Sequence, residues 1–381
     1  MEREEGSGQG GSPGVAKRIV VFGVTGHLGQ QVVDGLDESG WPIAELIGVA
    51  SPESAGAEFE FRGQMLDVVS DRPVLKGRDL VFICTPASEA LGIVREALRA
   101  EVPCIDCTGA LSDRDEIPIA LPEPIVRAIE EIRGDTASGS ETGEAASSSG
   151  VSGRVSLEDA CLEKAPLLAI PSATSLAWTP ILAALDVSRM VGTVLCSASA
   201  QGHRGIAALS EESIALFNQS ASPEAGPAGQ AVAFDVVPGG GIDPERVRRE
   251  IQRLFGSSVR VDLASLQVPA FVGEGASLAL ELRNPLDRKE VEARLAAMPG
   301  LSIRSAGAGS RGLVLVEAGA PEPIGPTLRD AIGVDEVLVG RIQADRSLPE
   351  GQGWWLWIAF DPLRLAARHA MALAARRLGL A

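Results

Sequence analysis

The sequence predicts an α/β chain in two parts: a Rossmann-type doubly wound parallel sheet, and an α+β dimerisation domain with a mainly antiparallel, mixed sheet. Three observations predict it. An apolar run, Ile19-Val20-Val21-Phe22, feeds a turn with glycines at 23, 26 and 29, and an amphipathic segment follows. That order is strand, tight turn and helix N-terminus, the arrangement that cradles a pyrophosphate. Apolar strands then alternate with helical patterns to about residue 109, as in a parallel sheet covered on both faces. From about residue 190 the apolar period falls towards two, as in half-buried antiparallel strands.

The elements follow in order. After the glycine turn, a helix is predicted over 30–39 and a second strand over 45–51 (ELIGVAS). DLVFICTP (79–86) reads as a third strand ended by Pro86, a helix follows over 88–100, and VPCIDCTG (102–109) is a fourth strand. In the second part, strands are expected in GTVLCSASAQG, QAVAFDVVP, VRVDLASLQVPAFVG and ASLALELRN, with a helix over 243–255 between them. The segment from Pro362 to Leu380 is a periodic helix rich in Ala, Leu and Arg. The expected domains are a disordered tail over 1–17, a dinucleotide-type domain over 18–172 completed by 355–381, and a dimerisation or substrate domain over 173–354. Residues 133–153 are low-complexity Gly/Ser/Thr/Glu and are expected to form a disordered insertion.

Composition excludes several classes. A net charge of −17 over 381 residues is wrong for nucleic acid as a main partner, because phosphate backbones demand clustered Lys and Arg. The acidic, Gly/Ser-rich opening has no apolar core of a signal peptide. Ala165 to Leu185 carries no charge, but Pro171, Pro180 and the cluster Ser172, Thr174, Ser175 make it a buried strand, a turn and a core helix, not a membrane span. Cysteines 84, 104, 107, 161 and 196 form no secreted-type framework, and His27, His203 and His369 stand singly. The Cys104–Cys107 pair reads as structural thiols, no metal site is expected, and the expected compartment is the cytoplasm.

Seven segments together resemble the aspartate-semialdehyde dehydrogenase family. GVTGHLG (23–29) is similar to its GATGxxG turn, and the stretch from Ala50 to Gly56 to its A-S-x-R-S-A-G. CIDCTGAL (104–111) resembles I-D-N-S-S-x-F, LPE (121–123) resembles V-P-E, and VPAFVG (268–273) resembles V-P-V-F-x-G. VGRI (339–342) and WIAFDPL (357–363) resemble the C-terminal signature. The resemblance implies a homodimer, NAD or NADP as cofactor, and reduction of an acyl phosphate through a cysteine thioester. The implied dinucleotide contacts are Gly23, Thr25, Gly26, His27, Leu28, Gly29, Ser51 and Ser54. Glu53 stands where the family arginine meets the NADP phosphate, which tilts the expectation to NAD.

Carried over residue by residue, the family's catalytic groups are replaced. Ala173 stands at the nucleophilic cysteine, Glu274 at the histidine, Gln267 at the carboxylate-binding arginine and Ser112 at the phosphate-binding arginine. Cys196 aligns with the family glutamine when Ser199 is placed at the motif serine, and Pro362 with the asparagine beside the nicotinamide. No catalytic residue is therefore assigned. Two replacement chemistries are conceivable from the residues: Ser172, Thr174 or Ser175 with Glu274 as base, and Cys196 with His203. SASAQG (197–202) and LAIPSATS (168–175) also resemble a non-catalytic bacterial paralogue. The resulting expectation is an inactive homologue that binds a nucleotide, a metabolite or a partner, an active paralogous dehydrogenase being one such partner. The alternative is an NAD(P)-dependent semialdehyde dehydrogenase or acyl-phosphate reductase with a non-standard site.

Overall fold

The computed structural model describes residues 15–54, 56–121, 125–127, 165–220, 226–256, 259–304 and 325–380. The sequence expectations for residues 1–14 and 133–153, Cys161 and the last two residues of LPE lie outside the described residues.

The first half is a five-stranded sheet in the order β2-β1-β5-β6-β7, every pair parallel. Its strands are β1 (Lys17–Phe22), β2 (Ile43–Val49), β5 (Leu80–Ile83), β6 (Cys104–Asp106) and β7 (Leu167–Ala169). A two-stranded ribbon, β3 (Glu58–Phe61) with β4 (Gln64–Asp67), flanks it. Alternate residues of β1 feed the two faces. Ile19 and Val21 pack with α1 (His27–Glu38) and the C-terminal α7 (Pro362–Leu378), while Val20 and Phe22 pack with α2 (Ala87–Arg99). Helices on both faces leave the strands no polar side, which is why they read as continuous apolar runs.

The second half is a seven-stranded mixed sheet, β12-β13-β14-β11-β8-β10-β9. Its long strands are β8 (Val187–Cys196), β10 (Arg260–Gln267), β11 (Glu274–Leu282), β13 (Val337–Ala344) and β14 (Gly353–Phe360). β10 runs parallel to β8 and β12 (Leu301–Ile303) parallel to β13, and the other pairs are antiparallel. One face buries Met190, Val194, Ala276, Leu278 and Ile358 against α3 (Ala173–Leu185), α5 (Pro244–Phe255) and α6 (Arg288–Ala297). The uncharged stretch at 165–185 accordingly forms β7, a turn and α3, whose Trp178 and Ile181 are fully buried. The opposite face carries Thr193, Leu195, Ser277, Trp355 and Trp357 in register. Trp355 is 42% exposed there, and Leu195, Ser277, Trp355 and Trp357 line a cavity of about 550 Å³.

Four expectations are corrected. Lys17, placed in the tail, opens β1. The first helix begins at His27, three residues early, because Gly26 with extended backbone serves as its N-cap. QAVAFDVVP forms a strand only at Val237–Pro238 (β9), since the amides of Val232 and Ala233 donate to the buried Glu212 carboxylate (2.7 and 3.0 Å) and leave no ladder to build. Glu212 sits on α4 (Gly202–Phe217), a helix the sequence pattern did not reveal. Residue 355, taken as the return to the first domain, lies inside β14; the chain crosses back at Asp361, the α7 N-cap, which accepts from the amides of Leu363 and Arg364 (3.1 Å each).

Candidate functional site

The turn after β1 is built by its glycines. Gly23 has φ +84°, and a Cβ there would stand 2.5 Å from the Cys84 carbonyl oxygen. A Cβ at Gly29 would stand 2.1 Å from the Gly23 carbonyl oxygen. The Gly26 amide closes the turn on the Gly23 carbonyl at 3.0 Å. No side chain caps the start of α1 and no acidic residue sits in its first turn, so its first amide groups have no side-chain acceptor. This cradle, which larger residues would fill, fits a dinucleotide pyrophosphate. Thr25 Oγ1 and Ser54 Oγ lie 3.4 Å apart, joining the turn to the short 3₁₀ segment Pro52–Ser54 after β2. Ser51 and Glu53 are exposed beside it.

A cavity of about 500 Å³ opens where the two halves meet. Leu28 contributes from α1, Cys107 and Thr108 from the end of β6, Ser172–Thr174 from the start of α3, and Pro362 and Leu363 from the start of α7. The second half supplies Ser199, Asp243, Arg246 and Glu274. Ala173, Glu274 and Pro362, dispersed in sequence, thus line one cavity. Gln267 is elsewhere: it is buried at the end of β10, where its Oε1 accepts from Gln201 Nε2 at 2.9 Å. Ser112 is also diverted, its hydroxyl bonded to the Gly109 carbonyl and to Glu250.

Glu250, on α5, decides what the α3 terminus can do. Its carboxylate accepts from Ser172 N (3.0 Å), Ser172 Oγ (2.5 Å) and Ser112 Oγ. Ser175 Oγ lies 3.2 Å from Ser172 Oγ, and Thr174 is buried. The Ser172 hydroxyl is therefore committed to Glu250, not to Glu274, and works as the α3 cap (Ser175 N to Ser172 Oγ, 3.4 Å). Burial pushes Glu250 up, and its serine partners draw it back. The same network clamps the halves together: Arg253, three residues on, donates to the Ser112 and Ile117 carbonyls.

Glu274, at the start of β11, is 4% exposed, and its Oε2 is without a hydrogen-bond partner. Burial, then the nearby Asp361 charge, pushes its carboxyl up to about 8, so at neutral pH it is mainly a carboxylic acid with a proton to donate. Cys196 is fully buried beside it, and burial together with Glu274 holds the thiol protonated. His203, the conceivable partner for Cys196, has its ring 6.1 Å from that of His27, whose Nδ1 is buried and unpartnered. Arg246 is the cavity residue that sequence reasoning missed. It lies in the first turn of α5 one turn before Glu250; burial pushes the Asp106 carboxyl at the end of β6 up, and hydrogen bonds from Thr108 and Leu111, then the Arg246 charge, draw it back. The i, i+4 spacing of Arg246 and Glu250 on a helix capped by Asp243 was the available signal.

Among the described residues no three His, Cys, Asp or Glu groups stand close enough to hold a metal ion, and no helix is long and apolar enough to cross a membrane.

Two family models match in order, the semialdehyde dehydrogenase NAD-binding domain over residues 18–132 and its dimerisation domain over 179–365. They define the class as a semialdehyde dehydrogenase fold. An aspartate-semialdehyde dehydrogenase of Legionella pneumophila is 26% identical over 372 residues, covering 93% of this chain and 94% of that protein. A USG-1 protein homolog of Pseudomonas aeruginosa is 28% identical over 365 residues, covering 92% and 94%. The solved structure of a probable aspartate-semialdehyde dehydrogenase from Pseudomonas aeruginosa superposes with a TM-score of 0.74 at 25% identity, covering 94% of this chain and 97% of that one. The chain belongs to the aspartate-semialdehyde dehydrogenase family.

Proposed function

We propose that this chain is a non-catalytic member of its family, a homodimeric protein that binds a dinucleotide and a small anionic metabolite in the cavity between its halves. The observation that carries the reading is the start of α3. Ala173 offers a methyl group where the resemblance implies a thiolate, and the adjoining Ser172 hydroxyl is already bonded to Glu250. Without a nucleophile no thioester forms and no hydride has an acceptor. What remains suits binding: the Arg246 guanidinium for an anion, the protonated Glu274 for an acceptor oxygen, and the glycine turn for a pyrophosphate. Gly23, Thr25, Gly26, His27, Leu28, Gly29, Ser51 and Ser54 form the proposed dinucleotide contacts. The exposed Glu53 suits a ribose hydroxyl and repels a phosphate, so NAD is preferred over NADP. The open sheet face around Trp355 and Trp357 is the proposed dimer contact.

The test is a thermal-shift titration of the full chain with NAD, NADP and aspartate semialdehyde, paired with nicotinamide absorbance in the presence of phosphate. Stabilisation by NAD without turnover is expected. Turnover abolished by Glu274→Gln or Cys196→Ser would establish the rival reading, an active reductase with a rebuilt site. A melting temperature indifferent to both cofactors would remove dinucleotide binding.

A further inference from the structure

The two cysteines that the sequence pairs as Cys104 and Cys107 do not face each other. They are three residues apart along a strand, an odd spacing that sends their side chains to opposite faces. Cys104 packs with the α2 side of the sheet and Cys107 with the α1/α7 side. The residue that shares a face with Cys107 is Cys84, on the neighbouring strand. β5 and β6 are parallel with Ile83 opposite Asp106, so Cys84 and Cys107 are the next pair in register. The Cys107 amide donates to the Ile83 carbonyl at 3.0 Å, which carries the pairing past the ends of β5 and β6. Parallel neighbours lie about 4.8 Å apart, inside the roughly 4.4–6.8 Å Cα separation that a disulfide bridges. Both thiols are free, Cys84 half-buried and Cys107 buried. They also interact directly: contact with Cys84, ahead of burial, pushes the Cys107 thiol up.

We propose that Cys84 and Cys107 form a reversible dithiol–disulfide pair, with a low-molecular-weight disulfide as the oxidant. Cys84, the more accessible, attacks the external disulfide as its thiolate, making a mixed disulfide and expelling one small thiolate, which takes up the proton that Cys84 lost. Cys107 then attacks the Cys84 sulfur, breaking the S–S bond to the half still attached, and that half leaves as a second small thiolate that takes up the Cys107 proton. The protein loses two electrons and two protons and closes one S–S bond; the small disulfide gains both and leaves as two thiols. The pair stands at a sensitive place. Cys107 lines the 500 Å³ cavity, and the Cys84 carbonyl is the atom against which Gly23 packs. A cross-link here ties the ends of β5 and β6 together directly beneath the glycine turn.

The experiment incubates the purified full chain with glutathione disulfide, alkylates the remaining thiols, and maps cross-linked peptides by mass spectrometry. A Cys84–Cys107 cross-link is expected, reversed by dithiothreitol. Cys104→Ser should retain it. Cys107→Ser should stop at a glutathione adduct on Cys84, and Cys84→Ser should yield neither adduct nor cross-link. A circular-dichroism melt of each variant confirms that it is folded. A Cys104–Cys107 bridge, a stable glutathione adduct without a bridge in the unaltered chain, or two thiols still fully alkylated would each overturn the proposal.

Discussion

Replacing Glu274 by glutamine should make the protein more stable, and increasingly so as pH rises. The carboxyl lies 4% exposed with one oxygen unpartnered, and burial raises it from an ordinary 4.5 to about 8. A group raised on folding holds its proton more tightly in the folded chain. Its favourable contribution is complete below pH 4.5, falls as pH rises through the window, and is gone above pH 8. At ~1.4 kcal/mol per pH unit, the loss reaches ~5 kcal/mol above pH 8 and ~3 kcal/mol at pH 7. Glutamine keeps the shape and never ionises. Urea denaturation followed by tryptophan fluorescence at half-unit steps from pH 4.5 to 8.5 should show the two midpoints together at the acid end. They should then separate by about 1.6 to 5 M at the alkaline end, for urea slopes of about 1–3 kcal/mol/M. Parallel curves across the window, or a variant less stable than the parent at pH 8, would refute the reasoning.

Other outcomes follow from the same geometry. His369 is buried with its Nε2–H donating to the Ala120 carbonyl at 2.7 Å, and burial lowers it to about 4. Its neutral form therefore favours folding above pH 6.5, and ~3 kcal/mol of that is lost as pH falls to 4; His369→Gln, which keeps a donor, should flatten this limb of the stability curve. Glu250→Ala strands Ser112 and the amide and hydroxyl of Ser172, and should cost ~3 kcal/mol or more by denaturant titration. Gly29→Ala drives a methyl group to 2.1 Å from the Gly23 carbonyl oxygen, so calorimetry should show a melting temperature several degrees lower and no response to NAD. Ala173→Cys should restore a thiol that iodoacetamide labels but no measurable hydride transfer, because Gln267 still leaves the implied carboxylate site without its arginine.

Signals carried by neighbouring residues were legible in the sequence. The glycines at 23, 26 and 29 announced the turn because each has a local steric reason, and the uncharged stretch at 165–185 split into strand and helix at its own polar cap, Ser172. Long-range pairings were not. Nothing near Ser112 shows that its hydroxyl is taken by a carboxylate at position 250, and nothing in VAFDV shows that a distant Glu212 holds its amides. The helix Gly202–Phe217 escaped because it opens Gly-His-Arg-Gly, two glycines and two polar residues that show no apolar period. The cysteine pairing was half legible: odd spacing within one strand already separates Cys104 from Cys107, but only the register of β5 and β6 brings in Cys84.

The crossing at Asp361 has a consequence for how the chain is made. Ala366, Ala367, Ala370, Leu373 and Ala374 of α7 belong to the same core as Ile19, Val21 and Leu36. Domains emerging from a ribosome ordinarily fold in order, N-terminal first. Here β1 and α1 can pack early, but the part of this face that α7 covers stays open until the helix beginning at Pro362 is made, some 340 residues after Phe22. The second half can finish its own sheet sooner. In this protein the sheet built around β1 is therefore among the last parts to be sealed, and a chain stalled before Pro362 would present an exposed apolar surface to the cell's quality control.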